Sequence, residues 1–119
     1  FIINFQVEFE ITVFKNYNAQ NILLNVIAQL QDYFSADKFQ INQPIIISEV
    51  QSLIVSEPGV QSIVSLNFNN ISGLSAGYSI YKYSFDKATR DGVIYPSMDP
   101  SIFELKYPNT DINGRITTY

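Results

Sequence analysis

The chain has 119 residues and contains neither cysteine nor histidine. Without cysteine there is no disulfide framework, no thiolate nucleophile and no cysteine-rich zinc site. Without histidine the commonest general base and the commonest transition-metal ligand are missing, so neither a serine triad nor an imidazole-bound zinc centre can be assembled within this chain. Charge is scarce as well: charged residues make up 15% of the chain, where soluble domains average about 25%. The seven basic residues are scattered and the net charge is −4, which opposes binding to phosphate backbones, since that requires clustered Lys and Arg. No run approaches the ~20 apolar residues needed to cross a bilayer. Neither nucleic acid nor membrane is expected as a partner, and no cofactor or small-molecule substrate is expected.

Hydrophobic residues make up 46% of the chain, including nine Phe and eight Tyr. The length fits one domain with a single core. With so few charges, much of the polar surface must come from Asn, Gln, Ser, Thr and Tyr. Such a surface carries little charge repulsion and suits a domain packed against others. The chain begins at Phe1 inside an apparent strand, with no initiator Met or basic leader, and reads as a fragment of a longer protein cut near a domain boundary.

Period-two alternation of Phe5, Val7, Phe9, Ile11 and Val13 with Gln6, Glu8, Glu10 and Thr12 predicts a strand with one buried face. Asn18 is placed to cap a following helix whose stripe is Leu23, Val26, Ile27, Leu30 and Phe34. After a polar connection over 35–43, Pro44 opens the extended run 45–47. Ser48 with Gln51 has the spacing of a capping box for a second helix, with Val50, Leu53 and Ile54 on its buried side. Pro58-Gly59 ends that helix and leads into a strand in which Val60, Ser62, Val64, Leu66 and Phe68 share one parity. A loop with two glycines spans 69–77, and a further strand is expected over 78–85. Arg90-Asp91-Gly92 is a turn signature, followed by a brief extended segment at Val93-Ile94-Tyr95. The remainder, 96–119, reads as strands and an extended arm, with 102–107 its best strand. The expected fold is therefore α+β: a mixed, mainly antiparallel sheet with two helices packed on one face and an irregular β-rich C-terminal region. The single domain would divide into a core over 1–95 and an extended segment over 96–119.

Few residues suggest chemistry. Glu8 and Glu10 lie on one face of the first strand, roughly 7 Å apart by strand rise, but neighbouring carboxylates on a wet strand face are ordinary and nothing around them completes a glycosidase pair. The run 109–114 contains Asp-x-Asn-Gly but lacks the alternating ligands and terminal Glu of a calcium loop, and reads as a turn. Asn70-Ile71-Ser72 fits the glycosylation acceptor pattern by chance, and Gly59, Gly73 and Gly77 form no phosphate-cradling loop. No enzymatic activity is expected. Six of the eight tyrosines lie between Tyr78 and Tyr119. Because tyrosine buries apolar area while keeping a polar tip, Tyr78, Tyr81, Tyr83, Tyr95 and Tyr107 are the candidate protein-interface residues.

Several stretches together resemble the C-terminal domain of baseplate wedge proteins of contractile-tailed phages, a group related to the J-like baseplate proteins. They are the alternating first strand, the helix ending Gln31-Asp32-Tyr33-Phe34, the step Gln43-Pro44-Ile45, and Glu57-Pro58-Gly59-Val60 leading into a strand. The stretch from Tyr95-Pro96-Ser97 through Pro100-Ser101-Ile102-Phe103-Glu104-Leu105-Lys106-Tyr107-Pro108 resembles the closing region of the wedge protein of large myoviruses. What the resemblance implies is a non-enzymatic structural subunit of the virion tail baseplate, assembled in the host cytoplasm. It would form a homo-oligomer, such as a dimer, and contact other baseplate wedge proteins. An extended C-terminal arm reaching a neighbour's sheet edge would serve such assembly. The alternative is a non-catalytic glycan-binding or adhesive module that uses exposed Tyr and Asn/Gln side chains as its platform.

Overall fold

The first strand organises everything that follows. In the computed structural model, which describes residues 2–35, 39–97 and 100–117, strand β1 (Ile2–Val13) runs through the middle of a mixed sheet. Its odd-numbered side chains Ile3, Phe5, Val7, Phe9 and Ile11 are all buried, as the period-two pattern requires. Helix α1 (Ala19–Tyr33) is capped by Asn18, whose Oδ1 accepts from the Asn21 N–H at 3.2 Å. It buries Ile22, Val26 and Leu30, followed by Phe34, while Leu23 and Ile27 flank that stripe half-buried.

A two-residue strand β2 (Ile45–Ile46) leads directly into helix α2 (Ile47–Val55), which buries Val50 and Ile54 in the same core. The capping box expected at Ser48 does not form. The helix begins two residues earlier, with Ile46 at the N-cap position and no side-chain cap, because Ile46 is already held in extended geometry by pairing with Val93. Gly59, at φ 103°, supplies the exit after α2, and strand β3 (Val60–Asn70) follows, antiparallel to β1.

Two bulges overturn the simple parity expected for β3. The register skips Val64 between the Glu10–Ser65 and Ile11–Ile63 pairs, and skips Gln61 between Thr12–Ser62 and Val13–Val60. Each extra residue flips the side chains that follow it. Val60, Ile63, Leu66 and Phe68 therefore lie opposite Val13, Ile11, Phe9 and Val7, and Val64 is expelled to the surface.

The strand expected over 78–85 is absent. After a 3-10 turn (Leu74–Ala76) the chain stays irregular until helix α3 (Phe85–Ala88), then forms a hairpin of β4 (Thr89–Arg90) and β5 (Val93–Ile94). Asp91 and Gly92 both have positive φ, 53° and 77°, the geometry of a type I′ turn and the reason for Asp-Gly at this point. Strands β2, β5 and β4 make a small antiparallel sheet.

The C-terminal segment is not an arm. Strand β6 (Ile102–Glu104) pairs in parallel with Ile2–Asn4, and β7 (Ile112–Ile116) pairs in parallel with Val7–Ile11. The two lie end to end along one edge of β1 and supply Phe103 and Ile112 to the core, joined by Leu105 just after β6. A division into a core of 1–95 and an extended 96–119 therefore does not describe the fold: β1 uses residues beyond 100 to complete its own sheet. Met98, Asp99 and Tyr119 lie outside the described residues. The chain has an α+β fold, with α1 and α2 over the core face of a mixed sheet. Phe5 sits at the centre, its ring 5.1 Å from Phe34 in edge-to-face contact and within 6.4 Å of Phe68, Phe85 and Phe103.

Candidate functional site

The face of the sheet opposite the helices leaves apolar surface uncovered. Ile2 pairs with Ile102 and Asn4 with Glu104 in register, so these four side chains share that face and floor a groove of about 760 Å³. The irregular segment 74–81 makes one wall, and Ile41, Pro100, Ser101 and Lys106 complete the rim. Ile2, Ile41, Leu74, Ile80 and Tyr81 stand 44%, 66%, 74%, 59% and 42% exposed around it.

Two amides, the fully buried Asn4 chief among them, hold this wall in place. Asn4 is 1% exposed. Its Nδ2 donates to the Glu104 carboxylate at 2.8 Å and to the Glu104 carbonyl at 3.3 Å, and its Oδ1 accepts from the Ser79 N–H at 2.7 Å. The Asn4 carbonyl accepts from Ile71 N–H at 3.0 Å and from Asn70 Nδ2 at 2.8 Å, and Asn70 Oδ1 accepts from Tyr83 N–H at 2.9 Å. A segment without strand or helix is thus tied at 71, 79 and 83 to two asparagines, which satisfies its backbone at a buried position. Asn42 does the same opposite, with its N–H bonded to the Ser101 carbonyl at 2.6 Å and its Oδ1 accepting from the Ser101 N–H at 3.1 Å.

The five candidate tyrosines do not form one surface. Tyr78 and Tyr81 line the groove just described. Tyr107 packs edge-to-face on Tyr78 at 5.3 Å, with its hydroxyl against Gly77. Tyr83 and Tyr95 line a second groove of about 710 Å³ with Lys87, Arg90 and Asp91. Tyr83 is also a structural residue: its ring lies about 6 Å from Phe85 and Phe103, and its hydroxyl donates to the Tyr95 carbonyl at 2.6 Å. The Tyr78 and Tyr107 rings are inclined at 81°, so this pair offers no coplanar platform of the kind a sugar ring stacks on.

Tyr78 donates to Asp111 Oδ1 at 2.8 Å. Asp111 is buried, and its Oδ2 has no hydrogen-bond partner among the described residues. Burial, the hydrogen bond to Asp111 and the charge of that carboxylate push the Tyr78 hydroxyl up from its ordinary 10.0 to about 12. Burial, with the hydrogen bond to Glu49, pushes Tyr33 up also, and burial alone raises Tyr83.

The carboxylates singled out in the sequence have structural partners. Glu10 pairs with Arg115 at 2.6 Å and accepts from the Thr117 hydroxyl, tying β7 to β1 across the outer face, and Glu8 accepts from Gln6 at 3.1 Å. The run 109–114 is half turn and half strand: Gly114 lies inside β7 opposite Phe9. No group of three or more metal-ligating side chains occurs among the described residues.

The groove itself was missed in the sequence. Its one local signal is that Leu74 and Ile80 stand in a Ser/Gly-rich segment with no periodic partner, where an aliphatic side chain has no core to enter. No family model and no curated protein matches the chain.

Proposed function

We propose that this domain is a non-catalytic structural subunit that works by packing against further copies of itself and against neighbouring proteins, in the role implied by its resemblance to phage baseplate wedge proteins. The observation that carries the reading is the convergence of Ile2, Ile41, Leu74, Ile80 and Tyr81, all more than 40% exposed, on one groove. Contiguous apolar surface of this kind, rimmed by polar groups, is characteristic of a contact face. The wall of the groove is held by Asn4 before any partner arrives, so little ordering entropy opposes docking. The low charge of the chain, 15% of residues, also limits repulsion between identical copies.

The test is solution mass across a concentration series, by sedimentation equilibrium or light scattering, for the wild type and the double variant L74E/I80E. Concentration-dependent self-association that is lost in the variant, at unchanged far-UV circular dichroism, is the expected result. A wild type that stays monomeric throughout, or a variant that associates as the wild type does, refutes the groove as a self-association face.

A further inference from the structure

Strand β3 is the outermost strand on its side of the main sheet, and among the described residues its one strand partner is β1. The direction of its backbone groups follows from β1. Val7 N–H donates to the Asp111 carbonyl at 2.8 Å and the Ile11 carbonyl accepts from Thr117 N–H at 2.9 Å, so the odd residues of β1 address the β7 side. The Asn4 carbonyl accepts from Ile71 N–H, so the even residues address β3. Glu8–Asn67 and Gln6–Asn69 are therefore the hydrogen-bonded pairs, and the N–H and C=O groups of Leu66 and Phe68 point to the outer edge. No backbone hydrogen bond leads from Leu66 or Phe68 to any other described segment.

Natural edge strands are guarded by Lys, Pro, inward-pointing charge or bulges. Val60–Asn70 contains no charged residue and no proline. Its bulges fall at Gln61 and Val64, leaving Ser65–Asn70 in unbroken register.

We infer that this edge pairs with the same edge of a second copy of the chain, antiparallel about a twofold axis through Asn67. The occupant follows from charge and symmetry. A neutral strand meets itself without opposed like charges, although the chain as a whole carries −4, and an antiparallel edge is self-complementary in donors and acceptors. Residues directly opposite each other must share a face, so the axis passes through a residue. Centred on Asn67, Leu66 faces Phe68 of the second copy, both on the core side, and the two exchange backbone hydrogen bonds. Centring on Leu66 would bring bulged Val64 into the ladder. Centring on Phe68 would oppose Leu66 to Asn70, whose side chain is committed to Asn4 and Tyr83. The inference rests on the self-association reading above and adds to it a surface separate from the groove.

The absence of cysteine makes the test clean. Asn67 and Asn69 are both exposed, so Asn67→Cys and Asn69→Cys each introduce a lone surface thiol. Across the axis, position 67 faces itself in a non-hydrogen-bonded pair with Cβ atoms about 4.5–5.5 Å apart, from which a disulfide closes with small adjustment. Position 69 lies roughly 13 Å from its mate by strand rise. Under mild oxidation N67C is expected to form a covalent dimer on a non-reducing gel at least about tenfold faster than N69C. Equal rates, or a faster N69C, overturn the inference. If L74E/I80E abolishes self-association while N67C shows no advantage, the edge is wrong and the groove reading survives. If N67C cross-links preferentially and L74E/I80E changes nothing, the edge is right and the groove is not the self-association face.

Discussion

Gly114→Ala tests whether the last strand belongs to its own domain. Gly114 lies opposite Phe9 in the β1–β7 ladder, and the Phe9 ring and the Leu23 side chain of α1 fill the space that a Cβ would take. An added methyl would overlap the Phe9 ring and stand 2.8 Å from Leu23 Cδ1. Inserting a methyl into packed surroundings costs about 1–3 kcal/mol, while replacing glycine restricts the unfolded chain and returns about 0.4–1 kcal/mol. The net expected loss is about 1–2 kcal/mol. An unfolding entropy of ~2.1 cal/mol/K per residue gives about 0.25 kcal/mol/K for a chain of this length, so Tm should fall by about 4–8 °C. Thermal melts followed by circular dichroism, with urea unfolding as a second measure, read this directly. Gly92→Ala is the comparison: nothing lies within 4 Å of its added Cβ, and the strain comes only from φ 77° in the hairpin turn. If G114A melts with or above the wild type, β7 is not packed beneath α1 and the placement of the last strand in its own domain is refuted.

Two further outcomes are expected. The Tyr78 hydroxyl is held neutral in the fold, its pKa raised from 10.0 to about 12, so its contribution is complete below pH 10 and is lost as pH rises through 12. The urea midpoint should decline over that window, and Tyr78→Phe should lessen the decline; an identical slope in the variant would remove the Tyr78–Asp111 contact as its cause. Asn4→Ala deletes the amide that bonds Ser79 N–H and Glu104 and leaves a buried donor unpaired, at a cost of about 2–3 kcal/mol. Limited proteolysis should then cut within 72–82 before the domain unfolds globally, and protection equal to wild type would show that Asn4 does not hold the groove wall.

What could be read from the sequence was local. The β1 alternation, the Asn18 cap and the Asp91-Gly92 turn each depend on residues within a few positions of one another, and each formed as expected. The parity of β3 could not be read, because the bulges at Gln61 and Val64 are set by pairing with β1. The segment 78–84 has the aromatic spacing of a strand but no strand partner. Asn4 and Asn70, distant in sequence, supply its hydrogen bonds instead. Ser48 lost its cap role to the extended geometry that β5 imposes on Ile46. At the candidate site, the tyrosines were visible as a composition bias. Their separation into two grooves, and the gathering of Ile2, Ile41, Leu74 and Ile80 around one of them, depend on the course of the chain between 70 and 105.

The parallel pairing of Ile2 with Ile102 and of Val7 with Ile112 also governs when the domain can fold. Strand β1 precedes β6 and β7 in the chain, so one of its two edges stays unsatisfied until about a hundred further residues have been made. During that interval it is a half-apolar strand in search of a partner, a condition in which nascent chains depend on chaperones. Closing a loop of that span before any reward is gained makes for slow folding. The same closure ties strands about a hundred residues apart into one ladder, so a translation product that stops short of β7 lacks a strand of its core, leaves β1 open and becomes a natural substrate for degradation.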